Sequence, residues 1–250
     1  MRNTGRITSL LLWAVLAADG CFAQTADEII QRHLRALGGR EALSRLSSRT
    51  IIGTVSVTTP GGEVSGPIEI YSKPPNKTRT LMKLDLSAFG SGELTFDQRF
   101  DGTSAYVIDT VNGNRELTGN QLENMRNATF PTAFLNYRNA GIAATLADRE
   151  KIAGQETYVL ILTPGTGPVS RHYLDASTHL LLKTVVTIDI PQMGQIEQAS
   201  EFSDYRTVDE VKVPFGLKIT NPVQTLTVKV SSVEHNRPLD DSMFARPSPQ

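Results

Sequence analysis

Residues 201–220, EFSDYRTVDEVKVPFGLKIT, decide how this chain folds. Val211, Val213, Phe215, Leu217 and Ile219 are apolar, while Lys212, Pro214, Gly216, Lys218 and Thr220 between them are polar or small. Period-two alternation of this kind makes a strand with one buried and one wet face. Pro214 has no N–H to give to a ladder, which places it at an unpaired edge or at a bulge. The preceding run ends at Val208, and Asp209-Glu210 form a short turn. The stretch therefore reads as an antiparallel hairpin that lacks the usual turn glycine.

The same plan recurs on both sides. Upstream, Ile51, Val55 and Val57 alternate with polar residues, and Thr59-Pro60-Gly61-Gly62 turns the chain back through Ile68 and Ile70. Residues 78–86 place Met82, Leu84 and Leu86 inward, and residues 93–100 group Leu94, Phe96 and Phe100. Asp101-Gly102 signals another turn before a strand over 105–109 that carries Tyr106. Downstream, residues 158–162 (YVLIL) are apolar on both faces and are expected to form the most buried strand. Residues 169–174, 180–190, 194–205 and 225–233 continue the pattern, for about ten or eleven strands in all. Successive hairpins leave no room for crossover helices, so the sheet is expected to be antiparallel.

Two segments break the pattern. Thr25-Ala26-Asp27-Glu28 is a capping box, followed by Ile30, Leu34 and Leu37 on one helical face and by Gly38-Gly39 as a stop. Residues 119–147 form an apolar, partly helical insertion, with Leu122 and Met125 at helical spacing and then Phe130, Phe134, Leu135, Tyr137, Ile142 and Leu146. Such an insertion crosses a sheet edge or covers a concave face. Ahead of both, Arg2 and Arg6 precede a short apolar run over 10–18 and a small-residue site ending at Ala23. That is the pattern of a signal peptide over residues 1–23, too short in its apolar part to span a bilayer. Cleavage after Ala23 would remove Cys21, the one cysteine; the rival, lipidation at Cys21, is opposed by Ala18-Asp19-Gly20 in front of it. The domain is then expected over 24–236, with a proline-rich, loosely held tail over 237–250.

The chain has 250 residues, a formal net charge of −1 and a pI near 6.4, and shows no basic stripe of the kind that binds nucleic acid. His33, His172, His179 and His235 have no metal-ligand spacing and read as surface or helix-face residues, so no metal and no cofactor are expected. No nucleophile elbow, phosphate loop or facing carboxylate pair is legible. What remains is a surplus of apolar side chains: Met82, Leu84, Leu86, Phe96, Phe100 and Tyr106 on the strands, and Met125, Phe130, Phe134 and Leu135 in the insertion. They either fill a core or line an apolar cavity.

The order of elements and several local motifs resemble the LolA/LolB-type lipoprotein-carrier superfamily. IEIYSKPPNKTRTL (68–81) is similar to that family's strand, proline turn and arginine-bearing strand. FDGTSAY (100–106), Tyr173-Leu174-Asp175 with Leu181-Leu182-Lys183, and Ser203–Arg206 with Val213-Pro214-Phe215 are similar to its later hairpins. The resemblance implies a mainly β, α+β fold: a large curved antiparallel sheet forming an open half-barrel, with an N-terminal amphipathic helix and a helical lid. It further implies a non-catalytic periplasmic or secreted carrier holding a lipid or lipoprotein acyl chain, with Arg79 securing the lid. The alternatives are an envelope scaffold or sensor that binds a protein partner through the same fold, and a secreted hydrolase without a recognisable motif.

Overall fold

The computed structural model describes residues 24–190 and 194–247. The expected signal peptide, with Cys21, lies outside them. The chain enters through α1 (Ala26–Ala36) and α2 (Arg40–Ser44). The capping box forms: the Thr25 hydroxyl accepts from the Glu28 N–H, and the Glu28 carboxylate accepts from the Thr25 N–H. Ile29, Ile30, His33 and Leu34 make the buried stripe of α1.

The strands follow in order. They are β1 (Arg49–Thr59), β2 (Gly62–Lys73), β3 (Lys77–Asp85), β4 (Glu93–Phe100), β5 (Ala105–Asp109) and β6 (Arg115–Leu117). After α3 (Gly119–Asn127) come β7 (Ala143–Ile152), β8 (Gln155–Thr163), β9 (Ser170–Asp175), β10 (Leu181–Ile190), β11 (Gly194–Val208), β12 (Val211–Thr220) and β13 (Thr225–His235). Among the described residues they form one open sheet in the order β6-β5-β4-β3-β2-β1-β13-β12-β11-β10-β9-β8-β7, antiparallel throughout. It consists of two meanders joined where β1 pairs with β13. This is the expected open half-barrel.

The hairpin at 201–220 is present. Val208 pairs with Val211, and Asp209 and Glu210 both take left-handed backbone (φ 46° and 68°), the twist a two-residue hairpin needs. Pro214 sits at a local edge. β12 pairs with β13 only over Gly216–Thr220, and the Lys212 N–H donates instead to the Leu37 carbonyl at 2.8 Å. The helices are thus wedged where the two strands part.

Directly paired residues share a face, so the registers trace one inner surface across the sheet. Leu160 faces His172, His172 faces Thr184, Leu217 faces Val228, and Val228 faces Val55. Ile68 then faces Met82, Met82 faces Phe96, and Phe100 faces Ala105. A core under α1 and α2 contains Leu160, Leu174, Val211 and Val213; a middle core contains Val55, Ile68, Met82 and Leu84; a third sets Leu122 and Met125 of α3 on Phe100 and Val107. The sheet curls tightly enough that a Cβ on Gly66 would lie 1.8 Å from the Lys83 carbonyl oxygen, a close approach only glycine permits.

Several expectations are corrected. Thirteen strands form among the described residues rather than ten or eleven, and the two additional ones, β6 and β7, are the sheet edges. Leu146 lies on β7, so the insertion ends before Ala143; it is partly helical as expected, running through turns after α3. His172 and His235 are buried on strands rather than at the surface, and His33 is a helix-face residue that is buried. Leu86 falls beyond the end of β3. Arg79 and Tyr106 point to the outer face, because Arg79 pairs with Arg99 and Arg99 with Tyr106, one residue out of phase with the inward set. The tail is not loose up to Arg246. Asp241 bridges Lys73 and Lys77 at 2.8 Å each, the Ala245 carbonyl accepts from Arg99, and Phe244 is 1 % exposed.

Candidate functional site: a covered cavity on the inner face

The segment from β6 to β7 has to travel from one sheet edge to the other, and it does so over the inner face. α3 and residues 128–142 therefore act as a lid that bridges the open half-barrel. α3 is tied to the far side by polar contacts. Gln121 donates to the Asp189 carbonyl at 2.6 Å, Asn127 to the Thr166 carbonyl at 3.0 Å, and Glu123 accepts from the Thr166 hydroxyl at 2.9 Å. Gly167 makes the close approach possible: it has φ +94°, and a Cβ there would lie 2.7 Å from Glu123 Cβ. The rest of the lid is anchored by Phe134, whose ring meets His33 and His172 edge-on at 5.0 Å to each.

Beneath the lid lies a cavity of about 280 Å³. Its apolar wall comes from Leu162, Val186 and Ile188 on the strands, Ala133 and Ile142 on the lid, and Pro164 and Pro168 on the β8–β9 loop. Ser170, His172, Thr184 and Gln198 supply polar groups. His172 is fully engaged: Nε2 lies 2.8 Å from the Ser170 hydroxyl and Nδ1 lies 3.1 Å from the Thr184 hydroxyl. Burial, with His33 nearby, pushes its pKa down to about 3, and burial likewise lowers His33 to about 4, so both rings are neutral at pH 7. A serine beside a histidine invites the hydrolase reading. Here the ring is a poor base, and its second nitrogen faces a hydroxyl where an activating triad places a carboxylate. Among the described residues there is also no group of three His, Cys, Asp or Glu side chains that could hold a metal.

No family model and no curated protein matches this sequence. Solved structures do. A LolA superfamily protein from Nitrosomonas europaea superimposes with a TM-score of 0.56 at 14% identity, over 90% of this chain and 99% of that one. The fold is LolA-like. An outer membrane lipoprotein-sorting domain from Vibrio parahaemolyticus (TM-score 0.56, 12% identity, 87% and 95% coverage) and a DUF1329 family protein from Desulfovibrio piger (0.55, 14%, 88% and 97%) share it. At these identities the likeness carries the architecture, not the ligand.

Within this LolA-like half-barrel, none of the eleven residues expected at a ligand site lines the covered cavity. Met82, Leu84, Phe96, Phe100 and Met125 fill the middle and third cores, and Phe134 and Leu135 anchor the lid. Leu86 lies past the end of β3, and Tyr106 is on the outer face. Arg79 does not secure the lid: on the outer face, Nε and Nη2 bind both Asp97 oxygens at 2.8 and 2.7 Å, with Arg99 on the same carboxylate. The arginine under the lid is Arg49, whose guanidinium lies 5.4 Å from the Phe130 ring. The cavity wall had one legible signal, the alternation of Thr184, Val186 and Ile188. It was ambiguous because the neighbouring residues Leu181, Val185 and Thr187 are equally suited to a strand.

Proposed function

We propose that this chain is a non-catalytic binding or carrier protein of the periplasm that holds a lipid or lipoprotein acyl chain in the cavity beneath the lid. The observation that supports this most directly is the apolar wall of Leu162, Val186, Ile188, Ala133 and Ile142 on the inner face of a LolA-like half-barrel, under a bridging segment. At about 280 Å³ the cavity lies just below the roughly 300–1,000 Å³ of most ligand pockets, a size for one alkyl chain rather than a multi-chain lipid. The compartment follows from the expected leader over residues 1–23.

Native mass spectrometry of protein purified from an envelope fraction tests the reading. A retained mass of lipid size, absent from Val186→Trp, is the expected result, because the indole would occupy the cavity while leaving the strand intact. A clean apo mass, with no uptake of added fatty acid, would refute it and favour a scaffold that binds protein.

A further inference from the structure

A second cavity, about 190 Å³, lies on the other side of Phe134 from the first. His33, Leu37, Leu43, Arg49, Phe202 and Val211 contribute to its wall, and Pro131-Thr132 of the lid close it. Arg49 is the unusual member. It stands on the inner face of β1, opposite His235, and its Nε donates to His235 Nε2 at 3.0 Å. That is its one hydrogen bond among the described residues, which leaves both terminal amino groups for another partner.

The arginines of the outer face show what compensation looks like in this protein: Arg79 and Arg99 share the Asp97 carboxylate. Arg49 has no ion pair among the described residues. Asp209 is one step removed, facing His235 Nδ1 at 3.4 Å. Burial pushes the Arg49 pKa down to about 10, the direction of a cation taken from water without an anion beside it. A guanidinium presents a planar fork of donors suited to carboxylate and phosphate. Here that fork lies under a lid in a cavity whose wall carries Lys212, Tyr205, Thr132 and His33 beside its apolar residues and, among the described residues, no carboxylate.

We propose that Arg49 is a headgroup site: it binds the carboxylate or phosphate of an anionic single-chain amphiphile, whose alkyl chain passes Phe134 into the larger cavity. This rests on the carrier reading and gives it a ligand class and an orientation, with the acid at Arg49 and the methyl end toward Val186 and Ile188.

The test compares three ligands of equal chain length, laurate, dodecyl phosphate and 1-dodecanol, binding to the purified full-length processed protein, to Arg49→Gln and to Arg49→Lys, each checked for fold by circular dichroism. A charge-assisted hydrogen-bond pair predicts that at least one acid binds about tenfold or more tighter than dodecanol to the wild type. Arg49→Gln should collapse that ratio toward one, and Arg49→Lys should retain part of it. A preference for laurate identifies the carboxylate source, and one for dodecyl phosphate the phosphate source. Equal affinity of the wild type for acids and alcohol overturns the headgroup site while leaving the carrier reading standing, and this arm needs no variant to fold. An acid preference that survives in Arg49→Gln overturns it as well. Failure of all three ligands to bind overturns both readings.

Discussion

Phe134→Ala is the most informative single substitution, because it separates the lid's structural role from its role over the ligand. Phe134 is 2 % exposed and touches two buried imidazoles edge-on. Truncating a buried phenylalanine costs about 3–5 kcal/mol, of which each edge-on contact contributes about 0.5–1.5 kcal/mol. With a urea slope of about 3 kcal/mol/M for a chain of this size, the unfolding midpoint should fall by roughly 1–1.7 M with an unchanged slope. At the same time the constriction that Phe134 forms between the two cavities widens, so the preferred acyl chain should lengthen. Urea unfolding followed by circular dichroism reads the first effect, and a chain-length series of fatty acids reads the second. A midpoint shift below about 0.3 M would refute the claim that Phe134 pins the lid, since no buried aromatic anchor is that cheap to remove. A stability loss without change in chain-length preference would refute the constriction.

Four further outcomes are expected. Asp97→Asn leaves two largely buried guanidiniums unpaired and should cost about 3 kcal/mol at pH 7. Burial opposes the Asp97 charge, but Arg79 and Arg99 overcome it and depress the pKa, so the difference from wild type should narrow as pH falls below about 4; a difference undiminished at pH 2 would contradict this. His33 and His172 titrate near 6.5 when unfolded and at about 4 and about 3 when folded, so their stabilisation is complete above pH 6.5 and is lost on acidification. Between pH 6.5 and 5 each should remove about 2 kcal/mol, and flat stability over that window would show that these rings are not buried neutral. Gly167→Val should detach α3 from the β8–β9 loop, seen as faster amide exchange in α3 with β1 and β13 unchanged; unaltered exchange would rule out the clasp. Removing residues 237–250 takes away Phe244, buried at 1 % exposure, and should lower stability by about 3 kcal/mol, whereas a neutral truncation would mean the tail merely rests on the outer face.

The sequence by itself determined the local architecture. Period-two alternation located most interior strands, because a strand with one wet face must alternate; an apolar run located β8, and the Thr25–Glu28 capping box located the start of α1. The missed strands were the two edges. An edge strand is partnered on one side only, so β7 (AATLADREKI) could stay polar and merge by eye with the insertion before it, and β6 spans three residues. The inward direction of Met82, Leu84, Phe96 and Phe100 was legible for the same reason. Their role as core rather than cavity wall was not, because a filled and an empty concavity are lined by the same side chains. Tertiary structure alone decided where the cavity lies, that Arg49 rather than Arg79 stands beneath the lid, and that His33 and His172 clamp Phe134. The last two depend on pairing between residues more than a hundred positions apart, Arg49 with His235 and Phe134 with His33. No local pattern encodes such pairs; the register of β1 on β13 and the path of the lid between the two edges create them.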